Sequence, residues 1–138
     1  MARINNWPAA LNQFLRDKAQ VPFDWAANNC AFWCCDWLLV AVGVDPVAKL
    51  RGRYRTARAL AGLLKRRGGL AAMAAGICRR RGWAEVPVLK AQRGDVVLVT
   101  TALGETLGVC TGREIAGPGK DGLITVPLAQ GQRAWRVG

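Results

Sequence analysis

The chain changes character near its middle, and this change constrains the fold more than any other feature. Up to about residue 83, apolar residues recur at helical spacing, whereas the remainder breaks into short β-type runs separated by glycines. This order predicts an α+β fold, with helices packed on a small antiparallel sheet or partial barrel. At 138 residues the chain is expected to form one domain, helical over about 1–83 and β over about 84–138.

Local signals place the individual elements. Asn6 and Pro8 begin a first helix, Asn28 or Asn29 can cap a second, and Gly43 ends that second helix. The predicted helices cover residues 7–18, 30–42, 47–50, 54–65 and 70–81. The predicted strands cover residues 86–89, 95–99, 106–111, 123–126 and 133–137. Residues 117–120 are expected to form a hairpin turn, and Asp95 to bond backbone N–H groups of the turn that it ends.

The second helix carries the most informative residue. It is apolar around most of its circumference, which places it at the centre of the fold. Cys30 falls in its first turn, where free N–H groups and the helix dipole favour a thiolate. Papain-like enzymes place their nucleophile in this way and use a histidine on a facing strand as the general base.

Three segments resemble NlpC-type cell-wall peptidases, which have a papain-like fold. Residues 22–37 are similar to the nucleophile helix, with Asn29 where those enzymes typically have aspartate before the cysteine. Residues 93–99 resemble a strand that commonly begins Pro-Gly-Asp. Residues 107–112 resemble the next strand, which usually begins with the base histidine.

The whole chain is more similar still to an uncharacterised family of phage and prophage proteins related to that group. The shared motifs are Trp7-Pro8, Phe23-Asp-Trp25, Gly43-Val-Asp-Pro46, Arg51-Gly-Arg-Tyr54, Ala91-Gln-Arg-Gly-Asp95, Leu107 to Gly112, and Ala134-Trp-Arg-Val137. The resemblance implies a structural or assembly protein of the phage tail tip. Such a protein would be made in the host cytoplasm and dock in multiple copies onto hub and distal tail proteins of the virion.

Catalysis by a cysteine–histidine pair is excluded, because the chain contains no histidine. The resemblance puts Thr106 at the base position and the third polar position near Ala116. Neither residue can take a proton from Cys30, and loss of general acid–base catalysis typically costs 10²–10⁴ in rate. We therefore expect a catalytically inactive docking domain. The alternative is a peptidoglycan amidase or endopeptidase that acts during phage entry.

Five cysteines leave a second alternative, a zinc or iron–sulfur site. An odd number of cysteines in a protein made in a reducing compartment argues against a disulfide framework, and no cofactor is expected. If Thr106, Gly108 and Cys110 share the face next to the cysteine helix, then Cys30, Cys34 and Cys110 can converge. Thiolates are suitable ligands for zinc and iron–sulfur clusters, and Cys35 or Cys78 would supply a fourth.

The formal net charge of +11 suggests contact with an anionic partner. The basic residues cluster at Arg51, Arg53, Arg55 and Arg58, at residues 65–67, and at Arg79, Arg80 and Arg81. An acidic protein, a cell-surface polymer or DNA would suit these clusters, with DNA not favoured because stacking aromatics are absent. A solvated arginine-rich face is the remaining interpretation.

The tryptophans are predicted to divide between core and surface. Trp25, Trp33 and Trp37 are expected in the core, while Trp7 and Trp135, near the ends, are candidate interface residues. We expect no secretory signal, because residues 1–8 lack an apolar region, and no membrane span, because no apolar run approaches 20 residues.

Overall fold

The computed structural model describes residues 2–102 and 104–138 and confirms the α+β class. The helices are α1 (Trp7–Lys18), α2 (Cys30–Val42), α3 (Ala57–Arg66) and α4 (Leu70–Arg80). The strands are β1 (Glu85–Val86), β2 (Val96–Thr101), β3 (Gly104–Cys110), β4 (Glu114–Gly119), β5 (Gly122–Pro127) and β6 (Gly131–Trp135). All strand pairs are antiparallel, in the order β1-β6-β2-β3-β4-β5.

Helix α2 is the central element, and its ends are fixed by the residues that the sequence indicated. The Asn29 side chain accepts a hydrogen bond from the Phe32 N–H at 2.9 Å, which caps the first turn. Gly43 ends the helix with φ +74°, a left-handed conformation that favours glycine. Trp33 and Trp37 are fully buried, as expected for a central helix, although Leu39 and Val40 near its end are exposed.

The segment between α2 and α3 differs from the prediction. Residues 47–50 form consecutive turns instead of a helix, with Asp45 accepting hydrogen bonds from the Val47 N–H and the Arg51 guanidinium. Helix α3 begins at Ala57 rather than Tyr54, because the Thr56 hydroxyl caps it by accepting from the Ala59 N–H. Side-chain bonds to nearby backbone groups therefore compete with helical bonds along this segment.

The sheet contains one strand that was not predicted. Strand β4 continues through residues 117–119, where a hairpin turn was expected, and the turn lies instead at Lys120 and Asp121. Pro118 is tolerated because β4 pairs with β3 only at Ala116 and Ile115, so no β3 carbonyl needs an N–H donor from this proline. Strand β1 is shorter than predicted and stops before Pro87.

Apolar side chains are buried on both faces of the sheet. Leu98, Leu107 and Val109 face the helices and join the main core around α2. Val97 and Cys110 lie in a second, smaller core on the opposite face. Short 3-10 turns at residues 88–90 and 128–130 help to close that second core. The sheet is therefore the middle layer of the molecule.

A buried carboxylate joins the two ends of the described chain to the start of β2. Asp95 is fully buried and accepts from the Arg3 guanidinium at 2.5 Å and from the Arg136 guanidinium at 3.0 Å. It also accepts from the backbone N–H groups of Gln92 and Val137, at 2.8 and 3.2 Å. The expected bond to the local turn is confirmed, and this carboxylate also holds elements that are distant in sequence.

No helix in the described residues has the length and hydropathy needed to cross a membrane. The longest, α2, has 13 residues, whereas a span requires about 20.

Candidate functional site

Cys30 lies at one end of an open apolar groove of about 330 Å³ between α2, α3 and α4. Asn29 holds the entry to α2, because its amide also donates to the Trp25 carbonyl at 3.1 Å. Leu60 and Leu64 of α3 and Met73 of α4 form the opposite wall. The lining is almost entirely hydrocarbon, so the groove suits an apolar ligand or side chain.

The Cys30 thiol is not activated as a nucleophile. Burial raises the pKa of the Cys30 thiol, and this effect exceeds the opposing contributions of the Leu107, Ala31 and Cys30 backbone N–H groups. The helix N-terminus alone therefore does not overcome the loss of solvent. The thiol is protonated at neutral pH and is a weak nucleophile in that form.

The two other positions implied by the resemblance also lie near this cysteine. Thr106 lines the same groove, and its hydroxyl donates to the Val99 carbonyl at 3.1 Å. Ala116 is buried on β4 and, with Cys30, lines a small cavity of about 70 Å³ where β3 and β4 separate. The positions come together, but neither side chain carries a base. The rim carboxylate, Glu105, is exposed, and a carboxylate is a much weaker base than an imidazole.

The proposed convergence of Cys30, Cys34 and Cys110 does not occur. In β3, Leu107 and Val109 face α2, so Cys110 lies on the opposite face, in the second core. Residues 2–102 and 104–138 contain no group of three or more cysteines and acidic residues placed to hold a metal ion. The predicted ligand set of Cys30, Cys34 and Cys110 is therefore wrong, because Cys110 lies on the face of β3 that points away from the helix.

Trp25 is a member of this site that the sequence did not identify. It was expected in the core, but it is 48% exposed at the rim of the groove. Its ring packs edge-to-face on Phe23 at 4.7 Å between centroids. A backbone bridge between Asp24 and Asn28 forms the turn that presents it. The Phe-x-Trp motif marked this segment but not its exposure.

The predicted interface residues fall into three groups. Trp135 is 2% exposed and packs in the core, so its assignment to an interface is wrong. Trp7 is partly buried, with the Arg3 guanidinium 4.4 Å from its ring centroid. Arg51 pairs with Asp36 at 2.8 Å and with Asp45 at 2.7 Å, so its charge is neutralised within the fold. The exposed members are Arg53, Arg55, Arg79, Arg80 and Arg81.

Cys30 should be the first cysteine to be alkylated by iodoacetamide, because the other four are buried and Cys30 is only partly so. Its raised pKa predicts a rate that increases about tenfold per pH unit from pH 7 to 8.5 without levelling. Peptide mapping by mass spectrometry across this range measures the rate, with Cys30→Ala as the control. A plateau below pH 7 would show an activated thiolate and contradict this environment.

Comparison with known proteins places the chain in a family. No curated protein matches it in sequence. A family model described as a domain of unknown function, DUF6950, matches residues 2–137 and so covers nearly the whole chain, including α2, the sheet and the Cys30 groove. The chain therefore belongs to the DUF6950 family.

Proposed function

We propose that this chain is a catalytically inactive, papain-like docking domain of a phage tail tip. The observation that carries the proposal is the apolar groove beside Cys30, which has an exposed tryptophan at its rim and no imidazole base. In this proposal a groove of peptidase type has kept its shape and serves for binding. The resemblance to phage and prophage proteins supplies the tail-tip setting, in the virion.

The arrangement of the core supports a papain-like origin. A cysteine begins the central helix, and that helix packs on the β3 strand of an antiparallel sheet. The residues at the other two catalytic positions of the resemblance, Thr106 and Ala116, line cavities that Cys30 also lines. In this proposal α2, the Cys30 thiol and β3 are retained from a peptidase, while Thr106 and Ala116 replace the residues that would transfer protons.

Binding suits the groove better than chemistry does. Its walls offer hydrocarbon from Leu60, Leu64 and Met73, and the thiol at its end is protonated. Tryptophan is the residue most often found at binding hot spots, where burial of its large ring stabilises the complex. We therefore assign the groove to apolar side chains of a neighbouring hub or distal tail protein.

Trp25→Ala should weaken the complex with that tail protein at least about 30-fold, as expected for an interface hot spot. The measurement is co-expression with the hub and distal tail proteins of the same phage or prophage, followed by titration of the purified partner. Leu89→Ala is the matched control, because Leu89 is 76% exposed and does not line the groove. Equal affinities of wild type and Trp25→Ala would show that the groove is not part of the interface. Failure of the protein to form a complex with any tail protein would refute the docking function itself.

The peptidase alternative is tested separately. Purified peptidoglycan is incubated with the wild type and with Cys30→Ala, and released fragments are identified by mass spectrometry. We expect no release by either folded protein, because Cys30 has no imidazole partner. Release by the wild type alone would establish an enzyme that works without histidine and would refute the inactive domain.

A further inference from the structure

The excess of positive over negative charge in the protein comes from one segment, residues 46–84. This segment holds eleven of the 20 lysines and arginines and not one of the nine acidic residues. Outside it, the nine remaining cations are balanced by nine acids, so the rest of the chain has no formal net charge. The segment includes α3, α4 and the turns before and between them.

Most of these cations face solvent without an ionic partner. Among residues 2–102 and 104–138, Arg51 is the one member of the segment that forms an ion pair. The exposed members are Lys49, Arg53, Arg55, Arg58, Lys65, Arg66, Arg67, Arg79, Arg80 and Arg81. Ten mutually repelling charges concentrated on two short helices and the turns that flank them destabilise a free protein, so a counter-charged partner accounts for them well.

Three of the arginines surround one hollow. Arg53, Arg58 and Arg66 line an open depression of about 440 Å³. Arg58, Gly62 and Arg66 are spaced four apart along α3 and so share one stripe of the helix. A Cβ atom at Gly62 would lie 3.5 Å from the Arg66 guanidinium, so the arginine lies along the helix surface. Arg58 occupies the first turn, where a cation opposes the helix dipole and an anion would relieve it.

A second hollow continues the basic surface beside α4. Arg80 and Arg81 line it together with Ile77 and Pro46, and its volume is about 290 Å³. A Cβ atom at Gly76 would lie 3.3 Å from the Arg80 guanidinium, the same arrangement as on α3. The segment thus presents two separate sets of guanidinium groups and not a single pocket.

The composition of this surface distinguishes a nucleic acid from an acidic protein. Protein interfaces have an apolar, aromatic-rich centre, whereas interfaces with DNA are more polar and strongly positive. The large exposed apolar residues are Ile4, Val21, Trp25, Leu39, Val40, Leu89 and Ile124, and none lies in 46–84. Nine of the eleven cations are arginine, whose planar fork binds phosphate oxygens in pairs, as it also binds carboxylates. Tyr54 is the segment's one aromatic besides the buried Trp83, so stacking with single strands has little support.

We propose that the surface of residues 46–84 binds the phosphate backbone of duplex DNA without sequence preference. This inference does not rest on the docking function, because it uses the outer faces of α3 and α4 and not the groove that their inner faces line. Affinity should come from phosphate neutralisation and fall steeply with salt. Contacts to phosphate carry no sequence information, so the surface should bind duplexes of unrelated sequence equally.

The test is titration of the full-length protein into a fluorescein-labelled duplex of mixed sequence, followed by anisotropy over a range of salt concentrations. In the test variant, Arg53→Gln, Arg58→Gln and Arg66→Gln are combined. In the control variant, Arg16→Gln, Arg113→Gln and Lys120→Gln are combined, which removes the same charge from exposed positions outside the segment. Circular dichroism establishes that both variants are folded.

The test variant should lose affinity on the order of a hundredfold at 0.1 M salt, and the slope of log K against log salt should fall by about 3. The control should retain most of the wild-type affinity and slope. Equal losses of affinity in both variants would show that only the net charge of the protein matters. That result would refute a binding site in residues 46–84. If poly-glutamate competes as well as unlabelled duplex DNA at the same concentration of charge, the surface would be assigned to an acidic protein. If single-stranded DNA binds more tightly than the duplex, the duplex would be excluded as the ligand.

Discussion

Asp95→Asn is expected to lower the free energy of unfolding by about 3–5 kcal/mol, which is the cost of removing one partner from a buried ion pair. The amide has nearly the shape of the carboxylate but cannot neutralise Arg3, whose side chain is 9% exposed. It also cannot accept all four hydrogen bonds that Asp95 receives from Arg3, Arg136, Gln92 and Val137. Urea unfolding followed by circular dichroism measures the loss.

Glu85→Gln is the matched control for that substitution. Glu85 pairs with Arg133 at 2.7 Å, but both side chains are exposed, so the expected change is about 0–1 kcal/mol. If Asp95→Asn cost no more than Glu85→Gln, the buried network would not be a main source of stability.

Trp37→Ala should destabilise the protein by about 3–5 kcal/mol, the usual cost of truncating a fully buried aromatic side chain. The substitution removes ring packing against Phe14 and the hydrogen bond from the indole N–H to the Gly94 carbonyl at 2.9 Å. Differential scanning calorimetry should show a decrease in Tm of roughly 10–20 °C.

Trp25→Ala provides the comparison for the core tryptophan. Trp25 is 48% exposed and loses mainly its contact with Phe23, so its Tm should fall far less. Similar decreases for the two variants would contradict the assignment of Trp37 to the core and Trp25 to the rim.

The helices were predictable because their end signals are local. Asn29 and Gly43 fix α2 within a residue at either end, and this also fixes Cys30 in the first turn. The start of α3 was missed because Thr56, two residues after the expected beginning, provides a better cap than Tyr54. Positions decided by one or two neighbouring side chains can be recovered from sequence.

The orientation of β3 could not be recovered in the same way. Both faces of β2 and β3 are buried, so residues 96–99 are apolar without alternation and give no indication of which face meets the helices. A shift of one residue along the strand moves every side chain to the other face of the sheet. In β3 this difference places Cys110 on the face away from Cys30 and Cys34. The predicted ligand set of Cys30, Cys34 and Cys110 therefore failed because the apolar pattern of these strands does not indicate which face meets the helices.

Strand β4 and the exposure of Trp25 were not predicted from the sequence, for different reasons. The sequence Gly117-Pro118-Gly119 is typical of turns, and only the short extent of the β3–β4 ladder makes it acceptable in a strand. Tryptophan is usually buried, and the turn at residues 24–28 overrides that tendency at Trp25. The exposed rim of the groove was thus beyond sequence analysis, whereas the position of its thiol, Cys30, could be predicted.

The Asp95 network also determines when the molecule can be completed during synthesis. Arg3 precedes Asp95 by 92 positions, and Arg136 follows it by 41. On the ribosome, α1 and α2 leave the exit tunnel well before their carboxylate, and β6, which lies between β1 and β2 in the sheet, emerges last. At 5–20 residues per second, the helical half waits several seconds for its sheet with the apolar face of α2 uncovered. The nascent chain is therefore expected to depend on chaperones until β6 has emerged and joined the sheet.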